Sequence, residues 1–370
     1  MSSQRADGGP HLVLVGPTAS GKSALALEVA RRLPGPPVEL VSVDSMQVYR
    51  GMDVGTAKPT AEEQAEVPHH LIDLAYPSAD FSVADFQAAA HDTLAAIESR
   101  GHRALLVGGT GLYLRAVIDG LEMPGRWPEV RAELEAEPDT AGLHRRLAGL
   151  DPTAGERMTP SNRRRIVRAL EVTIGSGRPF SSFGPGLEAH SPAPRFRMAG
   201  VWLPRAALAE RIEARVQAML DGGLVKEVRS LATHAGTGQG GPAPTEHAAA
   251  GAEGSPATER SGTLNLPATE RNGTLIPPPI GPATATAAGV TSPGGLSRTA
   301  RQALGYREML AHLAGECTLE EAIEETVRRT KAFARRQRMW FRRDPRITWY
   351  GTGSDPFALL PALLGDWSHP

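Results

Sequence analysis

Residues 16–23 read GPTASGKS, directly after the apolar run LVLV at 12–15 and at the start of a helix-forming stretch from Lys22. Strand, then G-x-x-x-x-G-K-S, then helix is the setting in which such a loop holds phosphate. Gly16 and Gly21 permit a tight turn whose N–H groups point inward. The positive end of the following helix adds its partial charge. The whole run of Gly16, Pro17, Thr18, Ala19, Ser20, Gly21, Lys22 and Ser23 is therefore expected to cradle a diphosphate. Lys22 can bridge phosphate oxygens as a point charge, and the Ser23 hydroxyl can ligate a magnesium ion already bound to phosphate. Any nucleotide or other diphosphate would satisfy this motif alone.

Outward from the loop, short apolar runs alternate with helical patterns. VELVSV at 38–43 and ALLVG at 104–108 flank a helical pattern at about 82–99, and RMAGVWL at 197–203 supplies a further strand. This alternation predicts an α/β fold with a P-loop NTPase-like parallel sheet core. From Pro124 to about Arg178 the chain changes to Arg- and Glu-rich helices broken by Pro138, Pro152 and Pro160, which predicts a helical insertion domain. A long helix is expected over 205–234, and C-terminal basic helices over 298–314 and 318–343. The expected organisation is core at 1–123, helical insertion at 124–190, core again at 191–234, an insert at 235–297, C-terminal helices at 298–350 and a tail at 351–370.

Residues 235–297 are built from Gly, Pro, Ala, Thr and Ser and contain a short duplication, PATERSGTL at 256–264 and PATERNGTL at 267–275. So little apolar area cannot offset chain entropy, and a disordered surface insert is expected. The full chain has 370 residues, 41% hydrophobic and 22% charged, the composition of a soluble globular protein. Its net charge of -1 can still hide a basic face. A single cysteine, Cys317, excludes a disulfide framework and a cysteine-rich zinc site. The N-terminal apolar run is too short for a signal peptide, and no run reaches membrane length, so a cytoplasmic protein is expected.

Asp44 follows VELVSV and so lies at the carboxyl edge of the sheet, where open α/β sheets bind ligands. Two roles are open to it, general base or helix N-cap. ALLV runs into GGTGLY and not into the acidic residue that would carry magnesium in a triphosphate hydrolase or kinase. The GGTG turn at 108–111 offers backbone N–H groups and the Thr110 hydroxyl to the ligand or its acceptor. His69 and His70 are adjacent, point to different faces and lack a third ligand at suitable spacing, so no metal role is assigned to them.

Basic residues crowd two helices. One carries Arg163, Arg164, Arg165 and Arg168 beside a buried stripe of Ile166, Leu170 and Ile174. The other carries Arg328, Arg329, Lys331, Arg335, Arg336, Arg338, Arg342 and Arg343 with Phe333, Trp340 and Phe341. Arginines with an aromatic are the equipment for phosphate contact and base stacking, while Phe333 and Phe341 are expected in the core.

GPTASGKS together with VSVDSMQVYRGMDVGTAKP at 41–59, PHHLID at 68–73 and VGGTGLYLRA at 107–116 resembles the tRNA dimethylallyltransferase family. The likeness continues through RRRIVRALEV at 163–172, RIEARV at 211–216, RQALGYRE at 301–308 and TKAFARRQRMWFRR at 330–343. It implies transfer of the dimethylallyl group of dimethylallyl diphosphate to the exocyclic amine of the adenosine just 3′ of the anticodon. It further implies Asp44 as general base, Arg215 as diphosphate support, Thr110 near the reacting groups and Mg2+ on Ser23. By the same resemblance tRNA meets Asp44, Ser45, Met46, Gln47, Arg131, Arg164, Arg165 and Arg168. Further contacts fall on Arg301, Gly305, Tyr306, Arg336, Gln337, Arg338, Trp340 and Arg342. The implied partners are the tRNA anticodon stem-loop and dimethylallyl diphosphate, with no membrane, in a monomer. Rival readings are an adenylate isopentenyltransferase, disfavoured by the arginine clusters, a small-molecule kinase, and a non-catalytic RNA-binding protein.

Overall fold

The computed structural model describes residues 9–184, 186–187, 189–233 and 295–368. Of the insert expected at 235–297, all but the last three residues lie outside the described ones. Six strands form one sheet: β1 (His11–Val15), β2 (Val38–Val43), β3 (His69–His70), β4 (Arg103–Gly108), β5 (Phe196–Trp202) and β6 (Ile347–Gly351). Their order is β3-β2-β4-β1-β5-β6, and every pairing is parallel. The central strands are continuous apolar runs because helices cover both faces of such a sheet. Val13 pairs with both Leu106 and Met198, which puts β1 at the centre and the loop after it among the carboxyl ends of β4 and β5.

Before the helical insertion the helices are α1 (Lys22–Arg32), α2 (Ala61–Glu66), α3 (Val83–Ser99) and α4 (Gly111–Ile118). The Arg- and Glu-rich region folds as α5 (Pro128–Ala136), α6 (Thr140–Leu150), α7 (Pro152–Arg157) and α8 (Arg163–Ser176). Pro128 and Pro152 stand in the first turns of α5 and α7, where a missing N–H costs nothing. These helices share a core of their own around Leu134, Leu143, Leu147, Ile166 and Leu170. Their return to the sheet is tied down by Arg115, which donates to the carbonyls of Leu187 and Ala189.

The helix expected over 205–234 is two helices, α9 (Arg205–Asp221) and α10 (Leu224–Thr233). Gly222 and Gly223 break it, Gly223 with φ +96°, a conformation that only glycine adopts freely. The helix expected over 298–314 is likewise α11 (Arg298–Arg301) and α12 (Tyr306–Leu313), separated at Gly305 with φ +86°. α13 (Leu319–Phe341) opens on a capping box between Thr318 and Glu321.

The stretch expected as a tail, 351–370, is corrected over its described part. Residues Pro356–Leu359 form a 3-10 turn and Leu360–Ser368 form α14. Leu363 and Trp367 are buried against α1 in the core on one face of the sheet. The other face is covered by α3, α4, α10, α12 and α13, with Phe86, Leu114, Leu224, Tyr306 and Phe341 among the buried side chains. No helix among the described residues is long and apolar enough to cross a membrane.

Candidate active site

The loop between β1 and α1 is held from three sides. Ala19 has φ +62° and Gly21 φ +83°, the left-handed turns that aim successive N–H groups inward. Arg211 of α9 donates its Nε–H to the Ala19 carbonyl at 2.9 Å. Gln337 of α13 accepts from the Thr18 N–H at 2.8 Å and donates to the Gly109 carbonyl at 2.9 Å. From outside, Pro356 presses on Gly21, where an added Cβ would lie 2.4 Å from Pro356 Cγ.

Two hollows that share lining residues open at this loop. The larger, about 440 Å³, is lined by Ala19, Gly21, Lys22, Ser23, Arg211 and Arg215. The smaller, about 60 Å³, shares Lys22, Ser23 and Arg215 and adds Asp44, Gln47, Thr56, Phe333 and Gln337. Asp44 at the carboxyl edge of β2, the phosphate loop at the start of α1 and Arg215 of α9 are therefore brought to one place.

Burial, with Arg215 next, pushes the Lys22 ammonium down to about 8, and Asp44 opposes that fall. Burial also lowers the Arg215 guanidinium from its ordinary value, again opposed by Asp44. Two cations against one carboxylate leave the hollow with positive potential, the requirement for a polyanion. Arg215 donates to the Thr56 carbonyl at 3.4 Å, and Gln47 donates to the same carbonyl at 3.2 Å.

Asp44 is not a helix cap. Its Oδ1 accepts the Met46 N–H at 2.9 Å, and the residues after it form turns. This short local bond orients the carboxyl group without joining it to a helix. Thr110 accepts the Ser45 N–H at 3.2 Å through its hydroxyl and ties the end of β2 to the end of β4. Thr110, Ser45 and Met46 do not line the smaller hollow. Ser23 is exposed at the start of α1 and lines both hollows. Its hydroxyl, joined by the oxygens of a bound diphosphate, would make an all-oxygen donor set of the kind magnesium takes.

Outside the 44–47 turn, the residues expected to meet RNA differ in exposure. Arg164, Arg165, Arg301, Arg336 and Arg342 are exposed. Arg336 lies 5.9 Å from the Phe333 ring, while Arg338 and Arg342 stack over Trp202, an aromatic that the sequence reading did not single out. Arg131 and Arg168 are engaged with the buried Glu171 at 3.3 Å and 2.9 Å, and Trp340 packs on Gly111. The remaining expected contacts lie inside. Gln337 is buried as the clamp just described but also lines the smaller hollow, and Tyr306 and Gly305 are buried in the core. Phe333, expected in the core with Phe341, instead lines the smaller hollow, whereas Phe341 is buried.

Residues 47–253 and 286–344 match the family model for IPP transferase, and residues 11–79 match that for isopentenyl transferase. A curated tRNA dimethylallyltransferase of Streptomyces coelicolor is 42% identical over 355 residues, covering 95% of this chain and 93% of the relative. The solved tRNA isopentenylpyrophosphate transferase of Bacillus halodurans is 33% identical, with a TM-score of 0.58 over 97% of this chain and 96% of its own. A solved eukaryotic dimethylallyltransferase acting on tRNA has a TM-score of 0.65 at 21% identity, covering 95% of this chain and 77% of its own, and shares the fold.

Proposed function

This chain belongs to the tRNA dimethylallyltransferase family, and from that premise we propose how its residues carry out the transfer. The enzyme moves a dimethylallyl group from dimethylallyl diphosphate to the exocyclic amine of the adenosine 3′-adjacent to the anticodon in tRNA, giving isopentenyladenosine and diphosphate. The observation that carries the reading is the convergence of Lys22, Arg215 and Asp44 on one hollow at the carboxyl edge of the sheet. An aromatic amine is a weak nucleophile, and its proton must leave as the bond to the allylic carbon forms. Asp44 accepts that proton. Diphosphate leaves with its charge met by the loop N–H groups, Lys22 and Arg215.

Magnesium would be held by the Ser23 hydroxyl and the oxygens of the diphosphate itself, and would supply neutralising charge there. Thr110 keeps the Asp44 turn against the GGTG loop by its bond to Ser45. The target base lies in a stacked loop and swings out to reach the hollow, at a cost of a few kcal/mol. Exposed Arg164 and Arg165 on the helical insertion, 124–190, and Arg336 and Arg342 on α13 supply the phosphate contacts that hold the anticodon arm. The enzyme acts as a monomer in the cytoplasm.

The test is incubation of purified protein with dimethylallyl diphosphate, magnesium and an anticodon stem-loop, followed by digestion of the RNA to nucleosides. Isopentenyladenosine from the position 3′ of the anticodon is the expected product. Unmodified adenosine after prolonged incubation with saturating donor would overturn the reading.

A further inference from the structure

One carboxylate outside the hollow is bound in an unusual way. Glu227 of α10 accepts three consecutive backbone N–H groups, from Asp53 at 2.8 Å, Val54 at 2.7 Å and Gly55 at 3.1 Å. Its Oε1 also accepts the phenol of Tyr306 on α12. Burial, with Glu227 next, pushes that phenol well above its ordinary range, so it stays protonated and donates. The same two helices grip the loop by shape. An added Cβ on Gly55 would meet the Tyr306 ring at 2.4 Å and Leu224 at 2.8 Å, so only glycine lets them close over it.

The gripped loop leads directly into the site. Its next residues, Thr56 and Ala57, line the smaller hollow. The Thr56 carbonyl receives Arg215 and Gln47, and the Ala57 carbonyl receives Gln47 at 3.1 Å. The Thr56 hydroxyl turns inward to the Met52 carbonyl at 2.6 Å, which locks the direction of that backbone. Arg215 has no other hydrogen-bond partner among the described residues, so the position of its guanidinium depends on where the loop holds Thr56.

We propose that Glu227, seated on the three amides and capped by Tyr306, is a positioning residue for donor diphosphate: it fixes the 53–57 loop so that Thr56 presents Arg215 opposite Lys22. It touches neither substrate. The carboxylate is suited to this because two oxygens can accept four hydrogen bonds, which a neutral side chain of the same length cannot do. This inference rests on the donor reading above, since it needs a diphosphate between Lys22 and Arg215.

The experiment compares Glu227→Ala, Glu227→Gln and Tyr306→Phe with wild type in donor KM, tRNA KM and calorimetric affinity for inorganic diphosphate. Donor KM is expected to rise about tenfold or more in Glu227→Ala, less in Glu227→Gln and least in Tyr306→Phe, with tRNA KM nearly unchanged. Diphosphate affinity should fall in the same order. Glu39→Gln serves as the structural control. Glu39 is a buried carboxylate at the opposite edge of the sheet, bound to Arg100, His70 and His102, and its loss should lower the melting temperature without moving donor KM.

Donor KM and diphosphate affinity that stay at wild-type values in the Glu227 and Tyr306 variants would overturn the proposal. So would a rise in donor KM that Glu39→Gln reproduces at equal loss of stability. If Glu227→Ala does not fold, the graded pair of Glu227→Gln and Tyr306→Phe decides alone. A wild-type protein that transfers nothing counts against the donor reading instead, and the calorimetric order then judges the positioning role by itself.

Discussion

Lys22 and Arg215 face one hollow as two like charges, and among the described residues Asp44 is the one carboxylate that lines it with them. An anion between them would relieve the pair, and burial first, with Arg215 next, pushes the ammonium down to about 8. A bound diphosphate removes the repulsion, so binding favours the protonated lysine. Below pH 8 the charge is already present. Above it, each binding event must draw a proton from solution, and diphosphate affinity should fall about tenfold per pH unit. Calorimetry across pH 7–10 in buffers of different ionisation enthalpy would register both the fall and the proton uptake. Lys22→Met should bind weakly with no such slope, and a slope that persists in that variant would assign the titration elsewhere.

Asp44→Asn keeps the size of the side chain and an oxygen for the Met46 N–H but cannot take up a proton. Turnover should fall by roughly 10²–10⁴, the usual worth of a positioned base. Affinity for the anticodon stem-loop should survive within about twofold. Single-turnover rates beside filter-binding isotherms separate the two effects, and undiminished turnover would remove Asp44 from its role.

Gln337→Leu leaves the Thr18 N–H and the Gly109 carbonyl without the partners that now bridge the phosphate loop and the GGTG turn. The cost should be about 2 kcal/mol in urea unfolding. Donor KM should rise as the loop loosens. An unchanged unfolding midpoint would mean that water or another side chain takes over both bonds.

Arg336 is exposed and Arg338 is stacked on Trp202, so their loss should not act alike. Arg336→Ala should weaken stem-loop binding and reduce its logarithmic salt slope by about 1, the signature of one phosphate contact. Arg338→Ala also strips a cation from an aromatic face and should cost some stability. Binding titrations at several salt concentrations give the slopes; equal slopes for wild type and Arg336→Ala would exclude that contact.

Much of the fold was readable because its signals are local. LVLV, VELVSV and ALLVG are each too apolar to sit anywhere but the middle of a covered sheet, and GPTASGKS names its own turn. Asp44 could be placed for the same reason, since every parallel strand delivers its last residue to one edge. What escaped depends on contacts made over long distances in sequence. Gln337 became a clamp because α13 crosses over the loop at residue 18, a separation of 319 residues. Tyr306 lies inside because Gly55 gives it room, and nothing in RQALGYRE alone reports that. The closing strand β6 is short and flanked by charge, and α14 shows its buried face only once α1 is there to receive Trp367. Gly222 and Gly223 did carry a readable signal, since paired glycines in a helical pattern mark a break.

Competition between acceptors tests prenyl transfer to tRNA most directly. Purified protein is given labelled dimethylallyl diphosphate and magnesium with an anticodon stem-loop and AMP together, at equal concentration. Label should appear almost wholly on the stem-loop, at the adenosine 3′ of the anticodon, and disappear from RNA when Asp44→Asn replaces wild type. Label on AMP with none on the stem-loop would contradict the tRNA reading.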